Sequence, residues 1–233
     1  CVAVKNADAC EEDPFTAWEN NAFVPALIAQ ALVQHAPHAR LVHISSSEIF
    51  AGNTSQQFAE DEVPRPTSVY GWTKYTSEKM IQSILESAHI PYYILRTSWL
   101  YGEHKPTFID VIIENLKNRQ PTTLATDQYD IPIWTRDVVQ ATVQILDNSK
   151  AHSGIYHITP TVNDMVSRFD IAHYIAEVAR LDPQMLQSTT RREIFTASRP
   201  EYSILTNSHT DIFTLPDWRQ SLLEYMQKKH DIT

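Results

Sequence analysis

Short apolar runs alternate along this chain with longer segments whose apolar residues recur at helical spacing, and this alternation constrains the fold more than any other feature. The runs predicted as strands are LVHIS at 41–45, PYYILRTS at 91–98, TTLA at 122–125, YDIPIW at 129–134 and GIYHIT at 154–159. The segments predicted as helices cover residues 14–36, 68–87, 107–118, 136–147, 167–180 and 217–229. Such alternation is typical of β-α-β units, so the sequence predicts an α/β fold around a parallel sheet.

Composition excludes several classes of partner. The net charge of −9 argues against the basic surface that a nucleic-acid-binding protein needs. No apolar run approaches the roughly 20 residues of a membrane helix, and no secretory signal is evident, so we expect a cytoplasmic protein without a membrane partner. Cys1 and Cys10 have no Cys/His cluster around them, and His35 and His38 lack a third ligand nearby. We therefore expect free thiols and no metal site.

A tyrosine followed four residues later by a lysine is the pattern of most chemical interest. It occurs at three places, which are Tyr70/Lys74, Tyr75/Lys79 and Tyr225/Lys229. Tyr70 and Lys74 share a helical stripe with later apolar residues, so this stripe faces inward, where a Lys is costly without a partner or a function. Tyr75 lies about 140° around the helix from Tyr70. No run of serines at a strand end precedes Tyr225, so context favours the first pair.

The strand predicted at 41–45 ends in three serines, Ser45 to Ser47. In an open parallel sheet, ligands bind beyond the carboxyl ends of the strands. A carbonyl that accepts a hydride needs a proton, which a Tyr phenol can donate if a nearby Lys lowers its pKa, while a Ser hydroxyl holds the oxygen. Ser46, Tyr70 and Lys74 therefore form a candidate proton-handling triad. Spacing alone leaves open a partly buried Tyr beside a salt-bridged Lys and an ordinary Ser-rich loop.

These residues resemble the motifs of the extended short-chain dehydrogenase/reductases, because Ser46 precedes Phe50 by four residues and Tyr70 by 24. Further segments resemble the dTDP-4-dehydrorhamnose reductase family in the same order. They are LRTSWLYGEH at 95–104, Asp127-Gln128, Pro132-x-Trp134-x-Arg136-Asp137, GIYH at 154–157, Arg199-Pro200-x-x-Ser203-x-Leu205 and LPDWR at 215–219. The resemblance covers nearly the whole chain, and the ordered set is specific although no single piece is.

The resemblance implies a Rossmann-like, doubly wound parallel sheet that lacks its first strands, with a small C-terminal substrate lobe. Residues 1–148 would be the remainder of the NAD(P)-binding domain, and residues 149–233 would mainly form the substrate lobe. Residues 104–128 could belong to either. The chain has only four glycines, far apart, so it holds no Gly-rich phosphate loop. We expect a longer native protein, and we expect this stretch alone to bind NAD(P) weakly.

The resemblance also implies the reaction, which is reduction of the 4-keto group of dTDP-4-dehydro-L-rhamnose by NADPH or NADH to give dTDP-L-rhamnose. Tyr70 would be the proton donor and Ser46 would polarise the carbonyl. Lys74 would lower the pKa of the phenol and hold the nicotinamide ribose. The residues expected beside the cofactor, in addition to Tyr70 and Lys74, are Val2, Ala3 and Val4.

The substrate would be a nucleotide sugar. Trp99 matches an aromatic residue that the family places against the sugar, and Ser46 and Ser47 would also contact the substrate. Arg199 could bind the diphosphate, because its guanidinium is a bidentate donor, or it could belong to a structural turn. A homodimer is compatible with the resemblance.

One departure from the family keeps alternatives open. The reductases usually have Thr-Asp-Tyr where this chain has Ser46-Ser47-Glu48, and related 4,6-dehydratases have Thr-Asp-Glu. Ser47 replaces the acid that a dehydratase needs, which disfavours dehydration. The alternatives are an epimerase or dehydratase of the same superfamily, or a non-catalytic subunit similar to the regulatory subunit of methionine adenosyltransferase.

Overall fold

A computed structural model describes residues 3–52, 55–162 and 164–232. Its main sheet consists of β1 (Leu41–Ser46), β2 (Tyr92–Thr97) and β6 (Gly154–His157), in the order β1-β2-β6. All three strands are parallel, and Ile44, Leu95 and Tyr156 lie side by side across them. Two short parallel pairs accompany this sheet. They are β3 (Leu100–Tyr101) with β5 (Ile133–Trp134), and β4 (Thr122–Ala125) with β7 (Leu186–Thr189).

Helices follow the strands as the alternation predicts. Their bounds are α1 Ala7–Glu12, α2 Pro14–Trp18, α3 Val24–His35, α4 Val69–Ser87, α5 Phe108–Lys117, α6 Thr135–Asp147, α7 Arg168–Val178, α8 Arg191–Ile194 and α9 Trp218–His230. Short 3₁₀ turns occur at Ser47–Ile49 and Pro183–Met185. The sequence did not predict α1, α8 or β7, which are six residues or fewer in length.

The helix predicted at 14–36 is divided by a π-helical turn at Glu19–Phe23. Pro25 explains the division, because it has no N–H to donate to the carbonyl of Asn21 and its ring crowds that carbonyl. The strand predicted at 129–134 is similarly reduced to Ile133 and Trp134, after Pro132.

Both faces of the main sheet are covered, as in a doubly wound fold. Successive residues of a strand point to opposite faces. Tyr93 and Leu95 of β2 pack into a large cluster that includes side chains of α5, α7 and α9, whereas Tyr92 and Ile94 pack into a second cluster with side chains of α3 and α4. This arrangement confirms the predicted α/β class with its parallel sheet.

The helix α4 presents the face that its periodicity predicts. Lys74, Ser77 and Ile81 are buried on it. The Ser68 hydroxyl accepts a hydrogen bond from the Gly71 amide at 3.1 Å and caps the helix. Among the described residues, no helix is both long and apolar enough to cross a membrane, and no group of three or more His, Cys, Asp or Glu side chains could hold a metal ion.

Candidate active site

The side chains of the predicted triad meet at the carboxyl end of β1. Ser46 is the last residue of β1, and Tyr70 and Lys74 lie on the first turns of α4. The Lys74 ammonium donates to the Ile44 carbonyl at 2.6 Å. The Ser46 hydroxyl is close enough to the Tyr70 phenol to lower the pKa of that phenol. The Ser46 hydroxyl oxygen accepts a hydrogen bond from the Glu48 amide at 3.2 Å, so the O–H of Ser46 is still free to donate. The structure therefore brings these three residues together at the edge where a ligand would bind.

The phenol of Tyr70 has a pKa above its ordinary value. Burial is the largest cause that raises the pKa of Tyr70 to about 12, and the Glu48 carboxylate raises it further. The Ser46 hydroxyl and the Arg199 charge lower it, but by less. Lys74 is not among the causes that shift this pKa, and its ammonium is bonded to a backbone carbonyl, so the pKa-lowering role expected of Lys74 stays a prediction. Tyr70 is thus a phenol, not a phenolate, at neutral pH.

Lys74 is a buried cation. Its side chain is only 6% exposed, and burial lowers its pKa to about 8, whereas the nearby Glu78 carboxylate raises it. Because this pKa lies close to neutral pH, small changes in the charges around Lys74 alter its protonation.

Close backbone contact fixes the position of α4 against the strand end. A Cβ atom on Gly71 would lie 2.5 Å from the Glu48 carbonyl oxygen and 3.0 Å from the Pro66 Cβ. No side chain fits there. Gly71 therefore allows the helix that carries Tyr70 to approach the chain that follows Ser46.

Ser47 is placed away from any open surface. Its side chain is buried, and its hydroxyl donates to the Asp130 carboxylate at 2.6 Å, as does the Ser203 hydroxyl. Burial raises the pKa of Asp130 to about 6, against the opposite effect of these hydroxyls. The substrate contact expected of Ser47 has no support in this arrangement, because its one donor is already used. Asp130 was missed, although an acid within the apolar run YDIPIW is a signal.

Arg199 lies beside the triad, paired with two carboxylates. It donates to Glu48 at 2.9 Å and to Asp8 at 3.2 Å, and its guanidinium stacks on Phe195. The charge of Arg199 is thus already balanced within the described residues.

Trp99 follows β2 at the same edge of the sheet, in a backbone conformation with φ of 25°. A bulky residue with positive φ is strained, and such strain collects at functional sites. The guanidinium of Arg168 lies 4.3 Å from the centre of the Trp99 ring and 4.8 Å from that of Phe108. The contact of Trp99 with the sugar stays a prediction, and Arg168 had no predicted role.

The segment expected beside the cofactor is attached to α4 by Asn21. The Asn21 side chain accepts from the Val4 amide at 2.8 Å and donates to the Val4 carbonyl at 2.9 Å and to the Thr73 hydroxyl at 3.2 Å. Ala3 is exposed next to it, and Val2 lies outside the described residues. Asn21 was also missed; a buried Asn four residues before a Pro, in an otherwise apolar helix, is its signal.

The two other Tyr/Lys pairs have different surroundings. Lys79 is exposed and lies over the Tyr75 ring. The Tyr225 hydroxyl donates to Asp110 at 2.7 Å, and Lys229 donates to that hydroxyl at 3.0 Å. Tyr225 and Lys229 thus connect α9 to α5 through Asp110.

Comparison with known proteins agrees with the geometry. The family model of the RmlD substrate binding domain matches residues 1–230. A probable dTDP-4,6-dihydroxy-2-methyloxan-3-one 4-ketoreductase of Streptomyces antibioticus is 32% identical over 96% of this chain and 75% of that protein. A dTDP-4-dehydrorhamnose reductase of Streptomyces griseus is 29% identical over 96% of this chain and 74% of its own length.

Solved structures give the same result. The dTDP-4-dehydrorhamnose reductase of Bacillus anthracis in complex with NADP superposes with a TM-score of 0.87 at 27% identity, over 98% of this chain and 79% of that one. The RfbD ortholog of Clostridium acetobutylicum has a TM-score of 0.85 at 29% identity, with coverage of 98% and 79%. The chain therefore belongs to the RmlD substrate binding domain family, as its resemblance to the dTDP-4-dehydrorhamnose reductases predicted.

Proposed function

We propose that this protein uses NADPH or NADH to reduce the 4-keto group of a nucleotide-linked deoxysugar, and that its reaction converts dTDP-4-dehydro-L-rhamnose to dTDP-L-rhamnose. The observation that carries the proposal is the Tyr70 phenol beside the Ser46 hydroxyl at the carboxyl end of β1. The two Streptomyces relatives support the same reaction class. One is called a probable 4-ketoreductase and the other a dTDP-4-dehydrorhamnose reductase.

The residues of the triad have separate tasks in this reaction. A bound nicotinamide cofactor supplies the hydride. The Ser46 hydroxyl donates a hydrogen bond to the substrate carbonyl oxygen and stabilises the negative charge that develops there. Tyr70 gives that oxygen its proton, and a phenol whose pKa is about 12 is in the protonated form that reduction requires.

The described residues fit the nicotinamide half of the cofactor. Lys74 has one hydrogen-bond acceptor among them, the Ile44 carbonyl, so its ammonium has N–H groups left for ribose hydroxyls. Val4 is held beside α4 by Asn21, where a cofactor would pass. We assign this half of the cofactor to Tyr70, Lys74 and the segment that contains Ala3 and Val4.

The substrate lobe and the assembly complete the proposal. We assign the substrate lobe mainly to residues 149–233, because Arg199 reaches the triad from that part of the chain.

We also propose a homodimer, since Phe15 and Leu27 on α2 and α3 are 77% and 60% exposed. Sedimentation of the protein as a monomer at every concentration would overturn the dimer. We place the protein in the cytoplasm, in keeping with a sugar-nucleotide substrate.

The test of the reaction is Tyr70→Phe, with Tyr75→Phe as its matched control on the same helix. We expect Tyr70→Phe to slow NADPH oxidation with a dTDP-linked 4-keto sugar by about 10²- to 10⁴-fold, because the proton donor is lost. Tyr75→Phe should keep the wild-type rate.

Three other outcomes would contradict this proposal. Wild-type rates in Tyr70→Phe would remove Tyr70 from the chemistry. An epimerised or dehydrated product would assign another reaction of the superfamily. Absence of turnover with every 4-keto sugar nucleotide would favour a non-catalytic, regulatory subunit.

A further inference from the structure

Arg168 differs from the other arginines of the described residues in how its charge is balanced. Each of the others that is at least partly buried forms an ion pair with a carboxylate. These are Arg96, Arg136, Arg191, Arg199 and Arg219. The arginines without an ion pair are exposed, with Arg168 as the one exception in the part of the chain that the structure describes. Arg168 is partly removed from water and has no carboxylate within ion-pair distance, so an anionic ligand would lower the cost of keeping its charge there.

The position of Arg168 connects it with the candidate active site. Its guanidinium stacks on Trp99, which follows the carboxyl end of β2. The charges of Glu48 and Arg199 act on Arg168, and they act on Tyr70 as well. Burial is the largest cause that lowers the pKa of Arg168 to about 10. The charges of Glu48 and Asp130 raise this pKa, and repulsion from Arg199 lowers it. Neither carboxylate forms a direct ion pair with Arg168 among the described residues.

The donors of Arg168 are arranged for a bidentate ligand. Its Nε donates to the Gln128 side chain at 3.3 Å, which orients the guanidinium plane. No hydrogen bond to its two terminal amino groups is found among the described residues, so both are available. Stacking on an aromatic ring leaves the N–H groups free at the edge of the plane, where phosphate oxygens can accept two of them.

Arg199 is the less suitable of the two arginines for an anion. Glu48 and Asp8 already neutralise it, and a phosphate would have to compete with these carboxylates. We propose that Arg168, held on Trp99, binds the diphosphate of the nucleotide-sugar substrate, and that Arg199 mainly positions Glu48. This inference rests on the proposed function for the identity of the ligand.

The test compares dTDP with thymidine as probes, by calorimetric titration of the full-length protein without turnover. Arg168→Met keeps a side chain on the Trp99 ring but removes the charge. We expect it to weaken dTDP binding by about 10- to 100-fold and to leave thymidine binding within twofold of wild type. Arg168→Lys keeps the charge without the fork and should lie between the two.

Arg219→Met is the matched control, because Arg219 also stacks on a tryptophan, Trp218, at 4.4 Å. It should bind dTDP as the wild type does. Equal dTDP affinity in Arg168→Met and wild type would overturn the inference, and so would an equal loss for dTDP and thymidine, which would indicate general damage to the site. A variant with normal dTDP affinity but a raised KM for the sugar nucleotide would assign Arg168 to the sugar instead.

The two proposals fail in different ways. If the wild type reduces a 4-keto sugar but dTDP binding does not depend on Arg168, only this inference is lost. If dTDP binding depends on Arg168 but no 4-keto sugar is reduced, the diphosphate site stands and the proposed reaction is lost.

Discussion

Replacing Lys74 with Met should make the protein more stable and at the same time inactive. Burial lowers the pKa of Lys74 from 10.5 to about 8. At about 1.4 kcal/mol for each pKa unit, keeping this ammonium buried costs roughly 3 kcal/mol of folding stability at neutral pH. Met has a similar length and no charge to desolvate. The lost hydrogen bond to the Ile44 carbonyl offsets about 1 kcal/mol, so we expect a net gain of about 2 kcal/mol.

The pH dependence follows from the direction of the shift. Below pH 8 Lys74 is charged in both the folded and the unfolded protein, and the full cost is present. Between about pH 8 and 10.5 the folded protein has lost this proton while the unfolded chain still binds it, so the contribution of Lys74 to stability rises with pH. The advantage of Lys74→Met over the wild type should therefore shrink across this interval.

Urea unfolding of the full-length protein at pH 7 and pH 10 measures both the gain in stability and its dependence on pH. Lys79→Met is the matched control, because Lys79 is exposed on the same helix, and it should change the free energy of unfolding by less than about 0.5 kcal/mol. A Lys74→Met variant that is less stable than the wild type at pH 7 would refute the reasoning. It would mean that the partners of Lys74 more than compensate its desolvation.

Two further predictions concern buried polar contacts. Glu78→Gln should lower the free energy of unfolding by about 3–5 kcal/mol, because Arg96, which is 1% exposed and 2.8 Å from Glu78, would keep a buried charge without a counter-ion; a loss below about 1 kcal/mol in urea unfolding would contradict this. Asn21→Ala should speed hydrogen exchange of the Val4 amide, whose acceptor is the Asn21 side chain, and an unchanged exchange rate would show that another group protects it.

Periodicity predicted the parts of the fold that depend on burial. Tyr92 to Leu95 alternate between two apolar clusters, and such a strand can be recognised from its residues alone. The inward face of α4 was predictable for the same reason. Short elements such as α1 and β7 were not predictable, because tertiary contacts rather than local pattern determine them.

Within the site, residue types were easier to predict than their electrostatics. Spacing selected Tyr70 and Lys74, but the pKa of Tyr70 depends on how much water the fold removes, which no local pattern shows. Asp130 and Arg168 come from segments distant in sequence from the triad, and only the folded chain places them near Ser47 and Trp99.

Gly71 bears on two properties of this site, which are the position of the helix that carries Tyr70 and the choice of substrate. Since the Gly71 backbone of α4 lies against the Glu48 carbonyl, the start of the helix that carries Tyr70 is positioned mainly by backbone contact. The side chains that we propose to contact the substrate, such as Trp99 and Arg168, belong to other segments of the chain. Under the proposed function, we expect mutations in those segments to alter which deoxysugar is accepted while Tyr70 stays in place. A scaffold with this division can diversify in substrate without having to rebuild its chemistry each time.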